Sequence, residues 1–166
     1  MLFPIRTFGD AVLRTVAEEV TEFDADLGRL VDDMLETMYD APGVGLAAPQ
    51  IGVARRVFVF DVGEGPHAVV NSELVETAGE WEFEEGCLSV PGRFWPISRP
   101  GFARVVGRDV TGSRVEYAGD ELLGRVLQHE HDHLGGTLLL GRLDKTLRRA
   151  VLRDLRAEAI GLRPPP

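Results

Sequence analysis

Apolar residues recur every three or four positions in several segments of the chain, which is the spacing of an amphipathic helix. The first such segment predicts a helix from Asp24 to about Asp40. A second predicts a helix over 121–134, where Asp120 is a suitable N-cap and Gly135-Gly136 supplies a stop. In this second helix, Leu122, Val126, His129 and His133 share one stripe, so the two histidines are expected to face the core.

The last part of the chain predicts another helix, over the basic segment 142–156. Leu147, Val151 and Leu155 are spaced at i, i+4, so this stripe is expected to pack on the body of the protein. The basic side chains would then face solvent; they are Arg142, Lys145, Arg148, Arg149, Arg153 and Arg156. Clustered charge of this kind is usually only a solvated face.

Between the first two helices, runs of β-branched and aromatic residues predict strands. The runs are Arg56–Asp61, His67–Asn71, Glu76–Glu84, Ala103–Val110 and Arg114–Ala118, with a hairpin-like break at Asp109–Gly112. This order predicts an α+β fold in which mostly antiparallel β-sheets surround the central helix, flanked by an N-terminal helix and a C-terminal basic helix. The final Pro164–Pro166 is expected to be a frayed end.

Length and composition limit the classes of protein that fit. With 166 residues, the chain is expected to form a single domain over 1–166. No apolar run approaches the roughly 20 residues that span a bilayer, and the start lacks a signal-peptide layout. A single cysteine cannot form a disulfide within the chain, which suits a reducing cytosol. A net charge of −9 disfavours non-specific binding to nucleic acid. We therefore expect a cytoplasmic protein without membrane association or specific DNA binding.

The central helix contains the pattern HExxH, formed by His129, Glu130 and His133. Because a helical turn takes about 3.6 residues, the two histidines project from one face, one turn apart. Two imidazoles at this spacing can bind one metal ion, with the glutamate as general base for a water molecule. The alternatives are an accidental match or histidines satisfied within the core. An inward-facing, capped helix favours the metal site.

A catalytic site of this kind usually has three protein ligands, so one more is needed. No histidine follows His133, and the downstream acids Asp144, Asp154 and Glu158 are expected to be solvated in the basic tail. Upstream, the single cysteine Cys87 is a candidate, although a lone cysteine is most often a small buried hydrophobe.

Two other histidines are weaker candidates for the third ligand. His131 should point to the opposite side of the helix and be exposed, and His67 lies where a loop enters a strand.

A glycine-rich stretch, Gly43–Gln50, also fits G-x-G-x-x-A. A dinucleotide fingerprint needs a strand before the glycines and a helix after them, but here a helical pattern precedes them and Pro49 and Gly52 interrupt the segment after them. The remaining interpretations are a tight turn with glycines at positive φ, or a loop against which a peptide backbone lies. In the second case the Gln50 amide would point into the site.

Together these stretches resemble peptide deformylase. Gly43–Gln50 matches that family's motif GxGxAAxQ, 85–89 matches EGCLS, and 128–133 matches QHExxH. The resemblance extends from about Phe8 to Leu143 and is complete at the fixed positions. Two residues outside the motifs depart from it: Ser72 follows Asn71 where bacterial members often have Asn-Pro, and Gly141 stands where Asp is common.

The resemblance implies a metal-dependent hydrolase that removes the formyl group from the N-terminal formyl-methionine of newly made polypeptides, releasing formate. It implies metal ligands at Cys87, His129 and His133, and a general base at Glu130. It implies oxyanion donors at the Gln50 amide and the Leu88 backbone N–H. The substrate-binding residues it implies are Val44, Gly45, Gly86, Leu122 and Val126.

The resemblance further implies one divalent metal ion, Fe(II) being expected, while a Cys/His/His set also suits Zn(II), Ni(II) or Co(II). It also implies docking to the ribosome through the basic C-terminal helix, with the solvated arginine face as the alternative. Two other classes remain open. A peptidase of ordinary peptide bonds predicts a downstream third ligand, and a structural metal site predicts four protein ligands.

Overall fold

The computed structural model describes residues 1–162, so the frayed end predicted at Pro164–Pro166 lies outside the described residues. The helices are α1 (Ala25–Asp40), α2 (Glu121–Leu134) and α3 (Lys145–Ala159), with short 3-10 turns at Ala11–Arg14, Ala48–Ile51 and Leu139–Arg142. The strands are β1 (Gly45–Ala47), β2 (Val57–Phe60), β3 (His67–Ala78), β4 (Trp81–Cys87), β5 (Val90–Arg99), β6 (Phe102–Arg108) and β7 (Arg114–Gly119).

The strands form two antiparallel sheets within the described residues. One has the order β1-β2-β3-β6-β7, and the other is the hairpin β4-β5. The predicted α+β fold, with antiparallel sheets and three helices, is confirmed. No helix within residues 1–162 is both long enough and apolar enough to cross a membrane.

Strand β2 shows how the core is arranged. Its side chains alternate between the two faces of the sheet, as they do along any strand. Val57 and Val59 pack in the cluster that contains Met34 of α1. Phe58 and Phe60 pack in the cluster that contains Leu127 of α2. The larger sheet therefore has α1 on one face and α2 on the other, and α2 is buried in the centre as predicted.

Helix α3 packs against the hairpin β4-β5. Val151 and Leu155 are buried in one cluster with Cys87 and Ile97 of the hairpin, and Leu147 packs against the same cluster. The predicted i, i+4 stripe is confirmed. Along the same helix Lys145, Arg148, Arg149, Arg153 and Arg156 are exposed, as expected from the sequence.

Two strand predictions were wrong. The run Glu76–Glu84 is not one strand, because the chain turns at Gly79, with φ of +69°, and passes from the larger sheet into the hairpin. Strand β5 was not predicted, because Pro91 and Pro96 interrupt the strand pattern there. Prolines are tolerated there since β5 pairs only with β4 among the described strands, and its other edge needs no backbone donor.

The departure at Asn71-Ser72 is accommodated by a β-bulge. Asn71 has φ of +53°, and its side chain accepts from the Val20 N–H and donates to the Val20 carbonyl, both at 2.8 Å.

The prediction that His131 is exposed was wrong. It is half-buried, and its Nδ1 lies 2.9 Å from the hydroxyl of the buried Ser72. Packing of α2 on the bulge removes this side chain from solvent.

Candidate metal site and cavity

A cavity of about 540 Å³ opens between α2, the segment Gly43–Gln50 and the hairpin β4-β5. The residues predicted to bind substrate or act on it all line this cavity; they are Val44, Gly45, Gln50, Gly86, Leu88, Leu122, Val126 and Glu130. Its mouth is apolar and open to solvent, since Val44, Leu122 and Phe94 are exposed there. The cavity is therefore suited to an extended ligand with an apolar side chain.

Helix α2 supplies both histidines of the HExxH pattern. His129 and His133 lie one turn apart with ring centroids separated by 5.0 Å, and both are buried. Asp120 occupies the N-cap position with extended backbone, although its side chain makes no capping hydrogen bond. The helix ends at Leu134, and Gly136, with φ of +74°, continues the chain as the predicted glycine stop.

Cys87 ends β4 beside these histidines. Its Sγ lies 3.4 Å from Nε2 of His133, and single ligand atoms of Cys87, His129 and His133 all lie within 4.8 Å of one another. A thiolate and two imidazoles are a donor set suited to a divalent transition metal or zinc. The three side chains thus fit a single metal ion.

The downstream acids lie elsewhere. Asp144 caps α3 by accepting from the backbone N–H groups of Thr146 and Leu147. Glu158, expected to be solvated, is instead a half-buried ion-pair partner of Arg93, because α3 packs beside the hairpin. Within the described residues, neither acid belongs to the group of candidate metal ligands. Among the described residues, the group of candidate ligands therefore takes its third member upstream, at Cys87, and not downstream as in an ordinary HExxH peptidase.

Glu85 is an important contact whose role sequence reasoning missed. Its Oε1 lies 2.6 Å from Nδ1 of His129, which leaves Nε2 of that ring facing the cysteine side. Burial opposes charge on Glu85, but hydrogen bonds from His129 and Arg99 outweigh it and hold its pKa well below the usual range. Carboxylates commonly orient metal-binding imidazoles in this way. The only sequence signal was its place in the EGCLS motif.

Arginines hold the Glu85 carboxylate in place. Arg99 donates from Nε and Nη2 to its two oxygens, at 2.9 and 2.7 Å, and Arg125 donates from Nη1 at 3.1 Å. Arg99 also donates to Asp132, which in turn accepts from Arg142. The imidazole of His129 is therefore anchored in a network of buried ion pairs, which restricts its rotation.

Glu130 lies at the inner wall of the cavity. It is buried, its Oε2 has no hydrogen-bond partner among residues 1–162, and burial raises its pKa to about 7. Gly45 permits this placement, because a Cβ there would meet Oε1 of Glu130 at 2.4 Å. Gly43 similarly makes room for Leu88, because a Cβ at Gly43 would lie 2.8 Å from Cδ1 of Leu88. Neither glycine has a positive φ, so the tight-turn interpretation was wrong and close approach explains both.

Gln50 points into the same site. Its Oε1 accepts from the backbone N–H of Ala47 at 2.9 Å, which fixes the amide orientation. Its Nε2 then lies 3.2 Å from the Ser89 hydroxyl and 3.6 Å from Sγ of Cys87. The amide nitrogen is therefore held beside the cysteine in the lining of the cavity.

The chain is similar to known proteins over most of its length. A family model described as "Polypeptide deformylase" matches residues 2–149. A peptide deformylase of Clostridium botulinum is 48% identical over 141 residues, covering 85% of this chain and 96% of the relative. Crystal structures of peptide deformylases from Thermus thermophilus and Legionella pneumophila superpose with TM-scores of 0.90 and 0.88, at 42% and 41% identity. They cover 96% and 99% of this chain, and 96% and 100% of their own chains.

Proposed function

This chain belongs to the peptide deformylase family, and on that premise we propose which of its residues bind the metal and perform the hydrolysis. The enzyme removes the N-formyl group of formyl-methionine from newly made polypeptides and releases formate. The observation that supports our assignment is that Cys87 and His129 of the Cys87/His129/His133 cluster line one cavity together with Glu130, whose Oε2 is unpartnered within the described residues.

Cys87, His129 and His133 would hold one divalent metal ion. Fe(II) is the expected ion, and the same donors suit Zn(II), Ni(II) and Co(II). When bound, the metal supplies Lewis-acid polarisation and makes water at the site more acidic. The contact between Glu85 and Nδ1 of His129 supports this assignment, because it leaves Nε2 for the metal.

The chain's own residues move the proton and stabilise the developing charge. Glu130 accepts a proton from the attacking water and passes it to the departing amine. The Gln50 side-chain amide and the Leu88 backbone N–H donate hydrogen bonds to the oxygen that becomes negative in the tetrahedral state. The contact between Gln50 and Ala47 supports this role, because it holds the donor in position before reaction.

The apolar wall of the cavity would bind the methionine side chain through Val44, Leu122 and Val126. The backbones of Val44 and Gly86 would pair with the substrate in the manner of an added strand, and Gly45 would bind it beside them. Support comes from their common position at the cavity and from the absence of side chains at the two glycines.

Three further assignments concern the whole protein. We propose a single catalytic domain over residues 1–166, acting in the cytoplasm, where new polypeptides are made. Docking to the ribosome through α3 is supported by the exposed arginines of that helix on a chain of net charge −9.

Formate release tests the assignment. Purified protein reconstituted with Fe(II), Zn(II), Ni(II) or Co(II) should release formate from formyl-Met-Ala-Ser, and removal of the metal by chelation should abolish that release. The unformylated peptide is the control, and its cleavage would instead indicate an ordinary peptidase. Formate release that persists without any metal would refute the proposed site.

A further inference from the structure

The C-terminal helix lies directly behind one wall of the substrate cavity. Val151 and Leu155 of α3 share a buried cluster with Cys87 and Ile97 of the hairpin β4-β5, whose residues 83–88 and 91–94 line the cavity. The family model ends at residue 149, so this contact uses a part of α3 beyond that match. The support of the wall is thus built partly from residues that lie beyond the matched range.

One ion pair joins the end of α3 to the rim. Arg93, at the cavity lining, donates from Nη2 to Oε1 of Glu158, and the side chains of both are only 17% exposed. Arg93 also lines a shallow cleft between the rim and α3, together with Trp95 and Val151. The guanidinium therefore lies between the cavity and the helix, and its position depends on the carboxylate behind it.

Arg93 and Phe94 are neighbours on the rim of the cavity. Phe94 is 66% exposed, and its ring lies over the backbone of Gly86, where a Cβ would meet Cε1 at 2.5 Å. Loss of the Glu158 carboxylate would remove a charged partner from a half-buried cation, and such a group shifts toward water because burial of a poorly compensated charge is costly. Because Arg93 itself lines the cavity, such a shift would change the lining of its mouth directly.

We propose that Glu158, acting through Arg93, is a positioning residue for substrate binding: the C-terminal helix holds the rim of the cavity in its binding geometry. This inference rests on the proposed function, since it concerns the cavity assigned there. It predicts an effect on KM without an effect on kcat. Glu130 lies against Gly45, and the Gln50 amide is held by the backbone N–H of Ala47. Neither contact involves the rim.

The test is steady-state kinetics on formyl-Met-Ala-Ser with Glu158→Gln and Arg93→Gln. Both should raise KM about fivefold, which corresponds to a loss of about 1 kcal/mol of substrate binding. Both should leave kcat and metal content unchanged. Arg149→Gln on the same helix and Glu82→Gln on the same hairpin remove exposed charges away from the cavity lining and should leave KM unchanged.

A charge exchange separates positioning from general support of the fold. Glu158→Arg should raise KM further by placing two cations together, and adding Arg93→Glu should lower KM again. A purely structural role would instead lower the melting temperature and the active fraction at constant KM. An unchanged KM in Glu158→Gln, a KM effect confined to Arg93→Gln, or no recovery in the exchanged pair would each overturn the proposal.

Failure of the metal and base assignments would be visible separately. It would appear as full metal content in Cys87→Ala or as normal kcat in Glu130→Gln, and neither measurement depends on Glu158.

Discussion

The α-carbon of Gly45 lies so close to the carboxylate of Glu130 that a Cβ atom there would be 2.4 Å from Oε1. The two residues come from different parts of the chain, one from β1 and the other from α2. Glu130 is buried, and a Cβ at Gly45 would overlap its Oε1, so the glycine permits this position of the carboxylate. A glycine of the family's motif GxGxAAxQ therefore shapes the position of the glutamate in its motif QHExxH.

Replacement of Gly45 by alanine should displace Glu130 and lower kcat by about 10- to 100-fold, because catalytic groups tolerate misplacement of only about 1 Å. Metal content should remain normal, since Cys87, His129 and His133 do not contact this position. Gly28→Ala on α1, where an added Cβ meets no described atom within 4 Å, is the matched control. A kcat equal to that of Gly28→Ala would show that Glu130 accommodates the extra methyl group.

Cys87→Ala should lose the metal during mild dialysis, because removal of the thiolate leaves two imidazoles as the protein ligands. Metal content measured by elemental analysis checks this expectation. Ser89→Ala, which removes a neighbouring hydroxyl that contacts Gln50, should keep its metal and serves as the control. Full occupancy in Cys87→Ala would contradict the three-ligand site.

Glu130→Gln keeps the size of the side chain but cannot accept a proton. Metal should stay bound, while kcat should fall by roughly 10²–10⁴, the range for lost general acid–base catalysis. Parallel measurement of metal content and single-turnover formate release separates binding from chemistry. Near-normal turnover would remove Glu130 from the mechanism.

Gln50→Ala should lower kcat with little change in metal content, since loss of one oxyanion donor typically costs about 2.7–4 kcal/mol of transition-state stabilisation. The wild-type amide is already oriented by Ala47, so its donor is in place before reaction. If the variant raised KM at unchanged kcat, Gln50 would be a ground-state contact instead. A thermal melt distinguishes either result from loss of folding.

Ribosome docking through α3 predicts a loss of binding in the double variant Arg148→Glu with Arg153→Glu. Binding to purified ribosomes should weaken, and wild-type binding should fall steeply with salt, because phosphate contacts release counterions. Activity on a free formyl-Met dipeptide should be unchanged. Arg29→Glu, an exposed arginine on α1, is the control, and equal binding by wild type and double variant across salt would leave α3 as packing and solubility only.

Local periodicity was sufficient to predict the helices and most of the strands. The spacing of His129 and His133 fixes their common face by the geometry of one helical turn, so the pair could be proposed before any fold was known. Cys87 was a candidate because a third ligand was needed and it is the only cysteine, and the motif resemblance then linked it to the histidines, which no spacing rule would have done. Missed or misplaced strands lie where prolines and a turning glycine interrupt the pattern, at Pro91 and Gly79.

Other features depend on side chains that are distant in sequence, and only the tertiary structure decided them. Glu85 and His129 are 44 positions apart, Ser72 and His131 are 59 apart, and Arg93 and Glu158 are 65 apart. Periodicity reports which face of an element is apolar, because that depends on neighbours along the chain. Which polar group meets which across two elements depends on how those elements pack, and no local rule contains that information.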